Sequence, residues 1–317
     1  MYMIVQARRA VRESLSALNP GDRILVAVSG GADSLLLAHC LNLEITSSAF
    51  QLTAVIIDHQ LQENSGAVAE IAKKELLKLG VTHVEIISVE VAKQNGLEAD
   101  ARTARYAALN AYAAKSHASA IFLGHNQDDL AESVLLGLTQ GAGTKSLAGM
   151  AIRDGKYFRP FLSLTREDVI NACAEAGIEF WSDPHNEDER FTRVKIRKII
   201  LPLMETQIGP GIKEALARSA RIFREDSDAL DLLSEEIFAT IEDPRSIDIS
   251  ILERLPTALR KRVIRRAIAS LGVSRVSSEQ LGWVDALISQ WHGQGAVALP
   301  AGVTARRESG RLALSQE

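Results

Sequence analysis

The run Ile24-Leu25-Val26-Ala27-Val28-Ser29-Gly30-Gly31-Ala32-Asp33-Ser34, continued by Leu35-Leu36-Leu37-Ala38, carries three structural instructions in order. Five apolar residues rich in branched side chains read as a buried strand. Ser-Gly-Gly turns the chain sharply, and the leucine-rich run that follows reads as a helix. The alternation repeats, with apolar runs at 52–57, 84–89 and 120–123 and helical stretches at 35–43, 67–79, 99–117 and 129–138. Strand starts roughly 30 residues apart are the spacing of βαβ units. The first three runs hold few polar residues, as strands covered on both faces do. The expected fold is therefore α/β, a doubly wound, mostly parallel sheet. Ligands of such sheets bind at the carboxyl ends of the strands, here just after Val28, Ile57, Val89 and Leu123.

Beyond residue 211 the pattern changes. Helical stretches cover 213–240, 256–271 and 278–290, and the last segment, with Gly302 and Gly310 at turn-like positions, reads as a small hairpin or meander. The run Ile208-Gly209-Pro210-Gly211-Ile212-Lys213 suggests domains of 1–211 and a smaller, mainly helical 212–317. With 46% apolar and 24% charged residues among 317, a disordered or fibrous chain is excluded. No apolar run approaches the ~18 residues of a membrane span. Arg8, Arg9 and Arg12 make the first helix amphipathic, unlike a signal peptide. Cys40 and Cys173, far apart, argue against a disulfide framework, a structural zinc or an iron–sulfur site, so a reducing cytoplasm is expected. The net charge of −4 gives no global basic field, yet residues 251–317 hold ten Lys/Arg against five Asp/Glu. Within them Arg260, Lys261, Arg262, Arg265 and Arg266 form either a nucleic-acid backbone contact or a solvated helix face.

The turn after the first strand is an anion cradle. Gly30 and Gly31 bring consecutive N–H groups to one point, the helix start adds partial positive charge, and Ser29 and Ser34 offer hydroxyls. The loop lacks the G-K-[ST] ending of a Walker A motif and the G-x-G-x-x-G dinucleotide fingerprint. Asp33 inside an anion site is repulsive unless a cation bridges it to phosphate, which points to Mg²⁺.

Further clusters fall at the other strand ends. Asp58-His59-Gln60-Leu61 would face adenine and ribose, and Arg102 and Arg105 share a helix face with Glu98, aimed at a phosphate or paired on the surface. Gly124-His125-Asn126-Gln127-Asp128-Asp129 and Glu132 exceed what helix capping requires. Their carboxylates would complete a Mg²⁺ site with Asp33, or bind and deprotonate an amine. Arg193 and Arg197, four apart, would meet one anionic ligand.

SGGADS resembles the S-G-G-x-D-S signature of the N-type ATP pyrophosphatases, the PP-loop family with a Rossmann-like ATPase fold. E-A-x-A-R-x-x-R-Y at 98–106, G-H-x-x-D-D-x-x-E at 124–132, G-x-G…G-M at 141–150 and D-P-x-N…R-x-x-x-R at 183–197 together resemble the tRNA(Ile)-lysidine synthetase family along nearly the whole chain. Gln140, His185 and Val194-Lys195 depart from the common pattern, and the extra C-terminal domain of longer members is expected to be missing.

The resemblance implies a C–N ligase that uses ATP and Mg²⁺ to join L-lysine to C2 of the wobble cytidine of tRNA(Ile) with a CAU anticodon. The products are lysidine, AMP and pyrophosphate, formed through an adenylated cytidine. On this reading Ser29, Gly30, Gly31, Ala32, Asp33 and Ser34 cradle the pyrophosphate, and Asp58, Arg102, Arg105 and Gly124 border the nucleotide. Asp33 and Asp129 hold the metal, Asp129 and Glu132 orient lysine, and His125 contacts the α-phosphate or the activated oxygen. Arg193 and Arg197 hold the anticodon backbone or the adenylate, and the basic run 260–266 holds tRNA away from the anticodon. A homodimer is a family expectation. The alternatives are another PP-loop adenylating ligase, acting on a small carboxylate or another tRNA base, and a non-catalytic nucleotide-binding regulator.

Overall fold

The computed structural model describes residues 2–45, 50–60, 65–92, 96–181, 189–273 and 275–316. Two compact units, Met1–Arg224 and Glu225–Glu317, make up the chain. In order, the first contains α1 (Tyr2–Leu15), β1 (Arg23–Val28), α2 (Ala32–Ile45), β2 (Gln51–Asp58), α3 (Ser65–Lys78), β3 (Val84–Ser88), α4 (Leu97–Ser116) and β4 (Ala120–Leu123). Then come α5 (Gln127–Thr139), α6 (Thr144–Leu147), β5 (Arg153–Asp154), β6 (Tyr157–Phe158), α7 (Arg166–Ala176), α8 (Thr192–Lys195), a π-type turn (Ile196–Ile200), α9 (Leu201–Gln207) and the start of α10 (Ile212–Ala239). The unit division falls inside α10, between Arg224 and Glu225.

The strands form one sheet in the order β3-β2-β1-β4-β6-β5, parallel except for the β5–β6 pair. Successive β1 side chains alternate between its faces. Ile24, Val26 and Val28 pack into a core with α1, α2, α3 and α7, while Leu25 and Ala27 pack under Leu109 and Ala113 of α4. The doubly wound reading holds, with one correction. The third apolar run is an edge strand, β3, whose residues are half-buried or exposed. The two-residue strands β5 and β6 are too short to leave a periodic signal.

Connections step from β1 to β2 to β3, then return to β4 on the other side of β1. That reversal opens a crevice at the carboxyl ends of β1 and β4. Ser29–Ser34 and Gly124 lie there.

The second unit contains the rest of α10, then β7 (Ser246–Asp248), α11 (Ile249–Glu253), α12 (Thr257–Ser270), α13 (Ser278–Ser289), β8 (Val297–Ala298), β9 (Val303–Glu308) and β10 (Arg311–Gln316). Its antiparallel sheet runs β7-β10-β9-β8, and Val263, Ile264, Leu281, Val284, Ala305 and Leu312 are among its fully buried residues. The expected hairpin is β9–β10, turning at Ser309 and Gly310, both with positive φ. Sequence patterning gave no sign of β7. No helix among the described residues is long and apolar enough to cross a membrane.

The amino end of α1 is capped from α7. Glu175 accepts the backbone N–H groups of Tyr2, Met3 and Ile4 at 3.1, 3.3 and 3.0 Å, satisfying donors that a helix start leaves unpaired. These bonds, that from Ile4 foremost, hold the Glu175 carboxyl down to about 2 from the usual 4.5. A carboxyl depressed in the folded state stabilises above its unfolded pKa, and that contribution fades as pH falls toward the folded value. Glu175→Gln is therefore expected to lower Tm above about pH 4.5, with the gap from wild type closing as pH falls toward 2. Thermal melts of both proteins across this range check it.

Candidate active site

Gly30 takes φ +85°, a conformation that L side chains rarely adopt, and the chain turns there from β1 into α2. Ser34 is buried and locks the bend from inside. Its hydroxyl donates to the Gly31 carbonyl at 3.0 Å and accepts the Ser29 N–H at 3.1 Å. Ser34 thus shapes the loop, whereas Ser29 is exposed. The first amides of α2, from Ala32 onward, have no intrahelical acceptor and supply anion-binding donors. Gly124, at the end of β4, lies directly against this turn. A Cβ there would stand 2.9 Å from both the carbonyl carbon and the carbonyl oxygen of Asp33. Sequence reasoning placed Gly124 beside the nucleotide, and the structure gives it this close approach.

Asn126 ties Asp33 to Asp129. Its side-chain amide donates to Asp33 Oδ1 at 2.6 Å, and its side-chain oxygen accepts the Asp129 N–H at 3.1 Å. Asp129 Oδ2 in turn accepts the Asn126 N–H at 3.0 Å, closing a capping box at the start of α5. Burial, and then the charge of Asp129, push the Asp33 carboxyl up. Burial likewise pushes Asp129 up, against the Asn126 amide and the Arg197 and Arg193 charges. Among the described residues no group of three His, Cys, Asp or Glu side chains is placed to hold a metal ion. Two carboxylates suffice for Mg²⁺ when phosphate oxygens complete the shell, and a cation relieves their mutual repulsion.

Asp128 turns away from this pair, its carboxylate accepting the Arg166 N–H and the Lys213 ammonium at 3.0 and 2.7 Å. Glu132 has a fully buried side chain and a bidentate partner in Arg197, at 2.5 and 3.0 Å. Arg197 also lies 3.6 Å from Asp129 Oδ1. The π-type turn that carries Arg197 is a local irregularity common at functional sites.

Positive charge gathers around His125. Burial, then Arg105, Arg159, Arg102 and Arg193, drive its pKa well below 6.5, so the imidazole is neutral at physiological pH. Its Nδ1 is buried with no hydrogen-bond partner among the described residues, as are His59 Nδ1 and Arg159 Nε. Arg105 acts on His59, His125 and Asp129, whereas Arg102 is exposed and lies over the Tyr106 ring, 4.9 Å from its centroid. Asp58 is buried, and one of its oxygens accepts the Gln60 N–H at 3.0 Å, shaping the turn after β2. Asp183, Asn186, His185 and Leu61 lie outside the described residues, as does the side chain of Glu98.

Sequence reasoning assigned no role to Asn126, Arg159 or Lys213. A signal for Asn126 was present, since Asn followed three residues later by Asp before a helix is a capping pattern. Arg159 and Lys213 left none, because their partners are distant in the chain.

The basic run on α12 divides. Arg260 is buried and its Nε lies 2.6 Å from Asp285 Oδ1. Arg262 pairs with Asp231 at 2.9 Å, and Arg266 donates to Ser234 and to the Asp231 carbonyl at 3.1 and 2.9 Å. These three guanidinium groups join α12 to α10 and α13 inside the second unit. Only Lys261, half-buried, and Arg265, exposed, remain on the outer face of the run.

Two family models match. The PP-loop domain covers residues 3–204 and the TilS substrate binding domain covers 247–313. The glycine turn, the carboxylate pair and the strand order thus define a PP-loop protein. A tRNA(Ile)-lysidine synthase of Thermobifida fusca is 41% identical over 99% of this chain and 98% of its own. One from Streptomyces coelicolor is 43% identical over 92% of this chain and 85% of its own. The chain belongs to the tRNA(Ile)-lysidine synthase family. The U34-tRNA thiolase NcsA of Methanococcus maripaludis, solved with its [4Fe-4S] cluster, has a TM-score of 0.59 at 19% identity over 70% of this chain and 80% of its own, which is a likeness of fold.

Gly124→Ala is expected to displace the glycine turn, costing about 1–3 kcal/mol of stability and abolishing ATP binding, as denaturant melts and calorimetry would measure. Arg260→Ala leaves Asp285 buried and unpaired and is expected to cost about 3–5 kcal/mol in chemical unfolding.

Proposed function

We propose that the chain ligates L-lysine to C2 of the wobble cytidine of tRNA(Ile) with a CAU anticodon, consuming ATP and releasing AMP and pyrophosphate. What supports this reading most is the convergence, at one sheet edge, of the glycine turn, the Asn126-bridged Asp33–Asp129 pair and the arginines around His125.

Cytosine C2 is a poor electrophile while its oxygen is a carbonyl. The oxygen attacks the α-phosphorus of ATP and pyrophosphate leaves. The amine of lysine then adds to C2 and AMP departs, so one difficult displacement becomes two easier ones. The amides of Gly30, Gly31 and Ala32 with the Ser29 hydroxyl cradle the departing pyrophosphate. Asp33 and Asp129 would hold Mg²⁺, which offsets charge on the phosphates when bound. Arg105, Arg159 and Arg193 face the α-phosphate and the adenylate. His125, being neutral, offers a hydrogen bond rather than a charge.

Free lysine carries an ammonium with no lone pair, so a carboxylate must take a proton. Glu132 is committed to Arg197 and Asp128 to Lys213. Asp129 faces the glycine turn without so close a cation among the described residues, and we assign it to orient the amine as its proton leaves. The target cytidine must leave its stack to reach this crevice. Phosphate contacts from Lys261 and Arg265 would position the tRNA without reading its sequence.

Labelled lysine, ATP and tRNA(Ile) incubated with the protein are expected to yield lysidine on nucleoside analysis, with AMP release requiring both tRNA and lysine. AMP release without tRNA would overturn the reading. Asp129→Asn is expected to slow lysidine formation by about a hundredfold or more.

A further inference from the structure

Asp128 is 7% exposed and sits one residue from Asp129. Its carboxylate accepts on both oxygens, Oδ1 from the Arg166 N–H at the start of α7 and Oδ2 from Lys213 Nζ on the first turn of α10. The ammonium is delivered by a fixed helix start. Both carboxylate oxygens of Glu205 cap that turn, accepting the Gly211 and Lys213 N–H groups at 2.7 and 3.0 Å. From Lys213 the same face of α10 continues as Leu216, Ala217 and Ala220, which pack on Leu130 and Val134 of α5. The lysine is thus the polar end of an apolar seam between α10 and α5.

The first turn of α5 has two further anchors, the Gln127 N–H on the Leu164 carbonyl at 2.8 Å and the Asn126 bridge to Asp33. Neither of them neutralises charge. Asp33, Asp128, Asp129 and Glu132 bring four carboxylates to this region, three of them on adjoining turns of one helix. Lys213 is the only cation recorded in an ion pair with Asp128 among the described residues.

We propose that Lys213 is a positioning residue for the ligation. It holds Asp128 outward against α7 and α10, and so fixes the rotation of α5 that turns Asp129 toward the glycine turn. The proposal rests on the reading of the Asp33–Asp129 pair, joined through Asn126, as part of the ligation site. A half-exposed ion pair with no such role would contribute little beyond a fraction of the stability.

The test compares Lys213→Met and Lys213→Arg with wild type in full-length protein. Lys213→Met is expected to lower the rate of lysidine formation at saturating substrates by about tenfold to a hundredfold. Lys213→Arg, which keeps the charge, should restore most of that rate. Amide hydrogen exchange over residues 127–132 should accelerate in the Met variant and stay near wild type in the Arg variant. A Met variant with wild-type rate and exchange overturns the proposal, and so does an Arg variant no better than Met. Should the Met variant fail to fold, Asp128→Asn weakens the same clamp and is expected to give the same loss of rate and the same faster exchange. A wild type that forms no lysidine removes the reading of the reaction, while the exchange comparison still decides whether Lys213 holds α5.

Discussion

One side chain, Asn126, donates to the carboxylate of Asp33 and accepts the backbone N–H of Asp129. The two carboxylates come from different parts of the chain, one at the start of α2 and the other at the start of α5. Each is half-buried. Burial pushes both carboxyls up, and the charge of Asp129 raises Asp33 further. A neutral amide can bridge them because it offers a donor on one side and an acceptor on the other. An aspartate in its place would add a third charge, and a leucine would leave the Asp129 amide uncapped. The distance between the glycine turn and α5 therefore depends on this one residue and on the bare backbone of Gly124, which admits the approach.

Charge is distributed around the crevice by the same logic. Two of the nearby carboxylates are satisfied from within, Glu132 by Arg197 and Asp128 by Lys213. The Asp33–Asp129 pair has hydrogen bonds but, among the described residues, no comparably close cation, since Arg197 stands 3.6 Å from Asp129. Burial, and then Arg105, Arg159, Arg102 and Arg193, hold His125 neutral, and His59 Nδ1, His125 Nδ1 and Arg159 Nε have no partner among the described residues. Buried polar atoms without partners cost stability unless a ligand completes them. The phosphates of ATP, which a PP-loop protein uses, would complete such nitrogens.

The strands and the glycine turn were legible because each is a local pattern. Alternating burial in β1 and the turn at Gly30 need no knowledge of distant residues. The positions of the site clusters were legible too, since each follows a strand in a parallel sheet. Partnership was not. Arg260, Arg262 and Arg266 read as a basic face, yet their carboxylate and hydroxyl partners lie about 25 to 35 positions away in the sequence. Helical spacing says which residues share a face, not whether that face is solvent. The third apolar run illustrates the same limit, because its sequence resembles the others while its edge position leaves it half-covered.

The adjacent pair Asp128-Asp129 shows where such reading must stop. Neighbouring residues on a helix project about 100° apart, so only one of the two can face the crevice. Which one is decided by how α5 is rotated about its axis. The capping box at Asn126 starts the helix at Gln127, two residues before the start expected from apolar periodicity. Leu130 and Val134 then turn toward α10, in contact with Ala217 and Ala220. With that face buried, Asp128 is carried toward Arg166 and Lys213, and Asp129 toward Asp33. A cap one residue later would put Asp129 where Asp128 now stands. Which of the two carboxylates faces Asp33 is thus a property of the packing of α5, written in residues of α7 and α10 that are far from it in sequence.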